Sequence, residues 1–215
     1  MELKHFLNSV PNEKFRLLFK YQAYLGLRIG EVCKLRIGKM GNIDFYKCDL
    51  TLKTEKARQV DTLLIPFELF KETTEFITRH IDEIKAANGY VFFKHENNTS
   101  NSFPYIDANY VRNVFVAARK KSGLDSVYDY SEENPGRKQR ALHRLTTHSL
   151  RHYAITHFAK STNGNIVLAS RFARHAKPET TMCYIAKDHE QLYKEIDLAF
   201  SDQFDKFKSI IKSYQ

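Results

Sequence analysis

The chain has 215 residues, enough for one large domain or one domain with an arm. Its 42% hydrophobic and 27% charged content is that of a globular protein. No run of about 18 apolar residues is present to span a membrane, and "MELKHFLNSV" has no apolar signal-peptide core, so a cytoplasmic protein is expected. The balance of 34 basic and 25 acidic side chains leaves a net charge of +9, which favours a polyanionic partner through counterion release. Cys33, Cys48 and Cys183 form no C-x-x-C pair, which argues against a disulfide framework or a zinc cage.

Taken in chain order, a helical pattern runs from Asn12 through Phe15, Leu18, Phe19 and Gln22 and pauses at Gly26, and a short second helix follows in "RIGEVCKL". Ile43 and Phe45, Leu50 and Leu52, and Val60 to Ile65 read as short strands of a small antiparallel sheet. Residues 67–87 return to helix and close at Asn88-Gly89; "YVFF" is a brief apolar run before the polar loop "KHENNTSNSFP". Another helix is expected over 106–121, with Ile106, Tyr110, Val114 and Ala117 or Ala118 on one face. The stretch 123–145 reads as a mobile loop in which Arg137, Lys138 and Arg140 are either DNA contacts or simply solvated.

Thr147 is the expected N-cap of a helix running to about Lys160. After a turn at Asn163-Gly164, a further helix leads to His175, and Pro178 permits a new helical start. A last amphipathic helix is expected over 189–213, with Leu192, Ile196, Phe200, Phe204, Phe207 and Ile211 as its stripe. That stripe can pack on its own core or on a neighbouring protomer. The expected division is therefore a main domain over 1–188 and a tail over 189–215. The fold class is mainly α with a small antiparallel sheet.

Three segments carry chemistry. "GLRIGEVCKL" places Arg28 and Glu31 three apart on one helix face, where the carboxylate can hold the guanidinium. "THSLRHYAITHFA" places His148 and Arg151 on one face at a helix start, whose N–H groups and positive dipole end favour an anion. His148 and His152, four apart, resemble half of a zinc motif, but Ser149 stands where that motif needs a Glu, so no metal is expected. "ARHAKPETTMCYI" sets His175 nine residues before Tyr184.

In that order the three segments resemble the catalytic domain of the tyrosine recombinase family, which includes phage-type integrases: an Arg-x-x-Glu box, a His-x-x-Arg-His box, and a His nine residues before a Tyr. The resemblance covers roughly residues 12–190. It departs at Ala173-Arg174-His175, where the family commonly has Leu-Gly-His. No counterpart of the family's usual N-terminal DNA-clamping domain is expected within these residues, as in an excised catalytic domain or a naturally short protein.

The resemblance implies a site-specific recombinase or integrase that cleaves and rejoins duplex DNA through a 3′-phosphotyrosine, as an oligomer expected to be a tetramer, with no cofactor, metal or ATP. It implies Tyr184 as nucleophile, Arg28, Arg151 and His175 as donors to the phosphate, and His148 as base and orienting group. The hairpin lysine that protonates the leaving 5′ oxygen is Lys53 first and Lys56 second, and Glu31 braces Arg28. The types fit the chemistry: guanidinium groups offer bidentate contact to phosphate oxygens, and a phenol titrating near ~10 needs help to shed its proton. The alternatives are a type IB topoisomerase or telomere resolvase with the same chemistry, or a DNA-binding module that cleaves nothing.

Overall fold

The computed structural model describes residues 2–53, 60–94, 103–132, 139–175 and 179–182. Lys56, Arg137, Lys138, Pro178, Tyr184 and the helix expected over 189–213 lie outside the described residues. Among the described residues the fold is mainly helical with small antiparallel sheets, and no helix is long and apolar enough to cross a membrane.

The helix read from Asn12 is α2 (Glu13–Leu25): the Asn12 side chain accepts from the Lys14 N–H at 2.8 Å, and Gly26 ends the helix in the left-handed conformation (φ 60°). Ahead of it the structure adds α1 (Glu2–Ser9), a helix the sequence pattern did not separate out. Phe6 of α1 and Phe19 of α2 meet Phe115 with ring centroids 4.7 and 5.4 Å away. Phe115 lies on α6 (Ala108–Lys121), capped by the Asp107 carboxylate.

Of the apolar face expected on α6, Ile106 and Ala118 are buried and Val114 packs against the core, but Tyr110 is 47% exposed, and Val111 and Phe115, outside the expected set, are buried instead. The Phe115 ring is the anchor, and Tyr110 keeps its phenol wet at the rim against Phe15.

After α3 (Ile29–Cys33) comes a three-stranded antiparallel sheet, β1 (Ile43–Asp44), β2 (Asp49–Lys53) and β3 (Val60–Leu64), in sequence order. Alternation buries Leu50 and Leu52 and exposes Thr51 and Lys53. The register sets Leu52 opposite Asp61 and Lys53 opposite Val60.

The single helix expected over 67–87 is two, α4 (Phe67–Arg79) and α5 (Ile81–Ala86), broken at His80 (φ −120°, ψ 27°). The His80 ring lies against Phe76 and bonds the Glu13 carboxylate at 2.8 Å.

The stretch 123–145 is not simply a loop. It contains an antiparallel ribbon, β4 (Val127–Tyr130) and β5 (Ala141–His143). Every residue of β4 is exposed, so no in–out hydrophobic alternation marks it.

α7 (Thr147–Ser161) is capped one residue earlier than expected. Thr146 Oγ1 accepts from the Ser149 N–H at 3.3 Å, and Ser149 Oγ accepts from the Thr146 N–H at 3.0 Å. α8 (Ile166–Ala173), capped by Asn165, and the short α9 (Glu179–Met182) follow. α7 packs along α2, and Gly26 sits where a Cβ would lie 3.6 Å from Ala154 and from the Phe172 ring. The end of α2, the middle of α7 and the end of α8 thus converge.

Candidate functional site

That convergence is where the sequence-predicted residues meet. Leu27, fully buried, pins the chain after α2, and Arg28 follows in extended conformation (φ −71°, ψ 149°) as the residue before α3. Glu31, one turn into α3, folds back: Oε2 accepts from the Arg28 backbone N–H at 2.7 Å and Oε1 from Arg28 Nη1 at 3.0 Å. The Arg28 side chain remains 45% exposed, so its guanidinium is oriented yet open to a ligand.

Arg151 enters from α7 and is 2% exposed. Its Nη1 donates to the carbonyl of Gly26, the C-cap of α2, and its Nη2 to the carbonyl of Ala173, the last residue of α8. Helix C-termini carry unpaired carbonyls and the negative end of the macrodipole, so a cation placed between two of them is doubly favoured. The guanidinium is thereby fixed by main chain on both sides.

Arg174 is the C-cap of α8 and adopts φ 53°, ψ 46°, the left-handed conformation that helix ends usually give to glycine. The backbone therefore turns as a glycine there would allow, despite the substitution. Its side chain is fully buried and donates from Nη2 to Glu31 Oε2 at 2.8 Å. Burial disfavours the charge of Arg174, and the Glu31 carboxylate opposes that effect.

His175 follows. Its Nδ1 lies 3.0 Å from Oγ1 of Thr181, a fully buried residue of α9. Burial first, then the positive charges of Arg151, Arg28 and Arg174, push the His175 imidazole down to about 4. His148, on the first turn of α7, is lowered by burial and then by His152, Arg151 and Arg28; the His148 and His152 rings meet edge to face at 4.8 Å. Both imidazoles are therefore neutral at pH 7.

The structure thus brings Arg28, His148, Arg151 and His175 together. Lys53 stands exposed at the end of β2. Its strand neighbour Leu52 pairs with Asp61, whose charge is felt at Arg174, so the hairpin borders the same cluster. Tyr184, two residues beyond α9, lies outside the described residues.

Four participants were not assigned roles from the sequence. Arg174 stood out as a departure at a glycine position, but its burial against Glu31 is set by the fold. Thr181 carries no signal in the sequence beyond its place between His175 and Tyr184; here it is the partner of His175. The carbonyls of Gly26 and Ala173 are main chain and leave no side-chain signal.

Two guanidinium groups on one shared carboxylate, a third held between two helix-end carbonyls, and two neutral imidazoles beside them make a pre-arranged anion site that also contains proton acceptors. Residues 2–191 match the model of the phage integrase family, and the chain belongs to that family. It is 26% identical over 204 residues to the tyrosine recombinase XerA of Pyrococcus furiosus, a match covering 92% of this chain and 59% of the relative. The crystal structure of XerA recombinase superposes with a TM-score of 0.64 at 20% identity, over 92% of this chain and 61% of that one. The Tn1549 transposon integrase in complex with transposon right end DNA gives 0.63 at 18% identity, over 91% of this chain and 63% of that one. The chain spans about three-fifths of the length of these relatives.

Proposed function

We propose that this protein is a site-specific recombinase or integrase that cleaves and rejoins duplex DNA through a 3′-phosphotyrosine on Tyr184. The observation that carries the reading is the fixed cation cluster. Arg151 is locked between the ends of α2 and α8, Arg28 is oriented by Glu31, and His175 lies in the field of both arginines. Membership of the phage integrase family and the DNA-bound Tn1549 integrase among the similar structures support DNA as the polyanion that the +9 charge would meet.

In this reading the Tyr184 phenol oxygen attacks the phosphorus and its proton passes to His148, which is neutral at pH 7 and so able to accept it. The five-coordinate phosphorus carries extra negative charge, met by Arg28 and Arg151 and by an N–H donated from His175 Nε2. That Nε2 holds the single proton of the neutral ring when the Thr181 hydroxyl donates to Nδ1. Lys53 gives a proton to the departing 5′ oxygen. The P–O5′ bond breaks as the P–O bond to tyrosine forms, so a free 5′ hydroxyl can reverse the step with no net hydrolysis. Duplex DNA held by a tetramer is the assembly this exchange calls for.

The test is incubation of the full chain with a library of nicked suicide duplexes of randomised sequence, followed by denaturing electrophoresis. A denaturation-resistant protein–DNA adduct is expected, and Tyr184→Phe should abolish it. An adduct that survives the substitution refutes the assignment of the nucleophile, and no adduct from the wild type refutes the activity.

A further inference from the structure

One position in the cluster is unfavourable on two counts. Arg174 holds a backbone conformation (φ 53°) that L side chains rarely adopt, and it buries a guanidinium completely. Among the described residues its Nε and Nη1 have no hydrogen-bond partner, so even the compensation is incomplete. A glycine would remove all these costs. Strain and desolvation collected at one residue beside a candidate site point to a role in that site.

The geometry supplies the role. Glu31 divides its oxygens between two arginines: Oε1 receives Arg28 Nη1, while Oε2 receives both the Arg28 backbone N–H and Arg174 Nη2. Without Arg174, Glu31 and Arg28 would form a one-to-one pair of no net charge. With it, the trio keeps a positive excess, and the carboxylate that orients Arg28 is held from its other side. Residues 173–175 then act in sequence: the Ala173 carbonyl anchors Arg151, the Arg174 side chain anchors Glu31, and His175 presents its ring. The left-handed turn at Arg174 sends these three in different directions.

We propose that Arg174 is a positioning residue of the phosphate pocket, which fixes Arg28 through the shared Glu31 carboxylate and leaves the pocket with an excess positive charge for a phosphodiester. This rests on the recombinase reading only for the identity of the ligand. The fixed pocket itself would bind any phosphate.

Three variants of the full chain test it: Arg174→Met keeps bulk without charge, Arg174→Gly relieves the backbone, and Arg174→Lys keeps the charge on a different head. On a duplex selected by adduct formation, Arg174→Met and Arg174→Gly should react at least tenfold more slowly, with Arg174→Lys recovering part of the loss. Arg174→Gly should do so with an unfolding midpoint no lower than that of Arg174→Met. Inorganic phosphate, titrated while the His175 ring is followed by NMR, should bind at least threefold more weakly to both. In the same spectra His175 should titrate above its wild-type value of about 4, because one of the charges that depress it is gone.

A merely structural residue would shift the unfolding midpoint and move neither phosphate affinity nor the His175 titration. Wild-type phosphate affinity in Arg174→Met and Arg174→Gly overturns the proposal. If the wild type forms no adduct, the recombinase reading fails and the phosphate titration alone decides Arg174. Should the Met and Gly variants not fold, Arg174→Lys decides: phosphate binding at least twofold weaker than wild type is expected, and equal binding overturns the proposal.

Discussion

Substituting Glu31 by Gln would remove one negative charge from between two arginines and keep nearly the same shape. The two halves of the resulting loss differ in size. Arg28 is 45% exposed, so its ion pair with Glu31 is worth about 0–1 kcal/mol. Arg174 is fully buried, and stranding a buried charge by removing its partner costs about 3–5 kcal/mol. The Gln carbonyl can still accept one hydrogen bond, which trims the loss, so a destabilisation of about 3 kcal/mol is expected. For a chain of this length that corresponds to a fall in melting temperature of roughly 6–12 °C.

The assay is urea unfolding of wild type, Glu31→Gln, Arg174→Met and the double variant. Because the costly part of Glu31→Gln is the stranded Arg174, the double variant should lose less than the sum of the single variants, with a coupling energy of about 2 kcal/mol. Additive losses would show that Glu31 and Arg174 do not stabilise each other, and would refute the shared-carboxylate account.

Other outcomes follow from neighbouring contacts. Thr181→Val keeps the shape but removes the hydroxyl beside His175 Nδ1, so nitrogen NMR of the ring should show loss of the single Nε2–H tautomer and adduct formation should slow about tenfold; an unchanged tautomer contradicts the assignment. Gly26→Ala meets only ordinary contacts at 3.6 Å but must hold φ 60°, so a loss of about 1 kcal/mol is expected in the same unfolding assay. Lys14 is buried with its ammonium donating to the Phe93 carbonyl at 3.0 Å, and burial lowers it to about 8 from 10.5. The unfolded chain therefore binds more protons between those values, so stability should rise with pH across that window and the rise should vanish in Lys14→Met. His175 acts in the same direction at lower pH: held near 4 in the fold and near 6.5 when unfolded, it should erode stability as pH falls below 6.5, by about 1 kcal/mol once solvent screening is allowed for.

The elements that sequence read well are those with a burial period. α2 announces itself through Phe15, Leu18, Phe19 and Gln22, all buried, with Asn12 and Gly26 as its chemical ends. The β2–β3 hairpin follows from Leu50 and Leu52 alternating with exposed residues. The ribbon of β4 and β5 was illegible because nothing on β4 is buried, and its pairing is a matter of main-chain hydrogen bonds. On α6 the period was right and the face only partly so, since spacing cannot say that Tyr110 lies at the rim while Val111 and Phe115 enter the core. At the site, the side chains that announce phosphate chemistry were readable as motifs. What holds them was not: two helix-end carbonyls, a buried threonine and an arginine in a conformation usually left to glycine belong to tertiary structure.

In the proposed reaction this cluster serves a tyrosine that becomes covalently joined to DNA. Mass spectrometry of the trapped adduct, after nuclease and trypsin digestion, reads it directly. Cleavage after Arg174 and Lys187, with the Lys177-Pro178 bond resisting trypsin, yields the peptide 175–187, whose one tyrosine is Tyr184. A nucleotide remnant on that tyrosine, attached through a 3′ phosphate, is the predicted result. A remnant on any other residue, or one attached through a 5′ phosphate, would contradict the account.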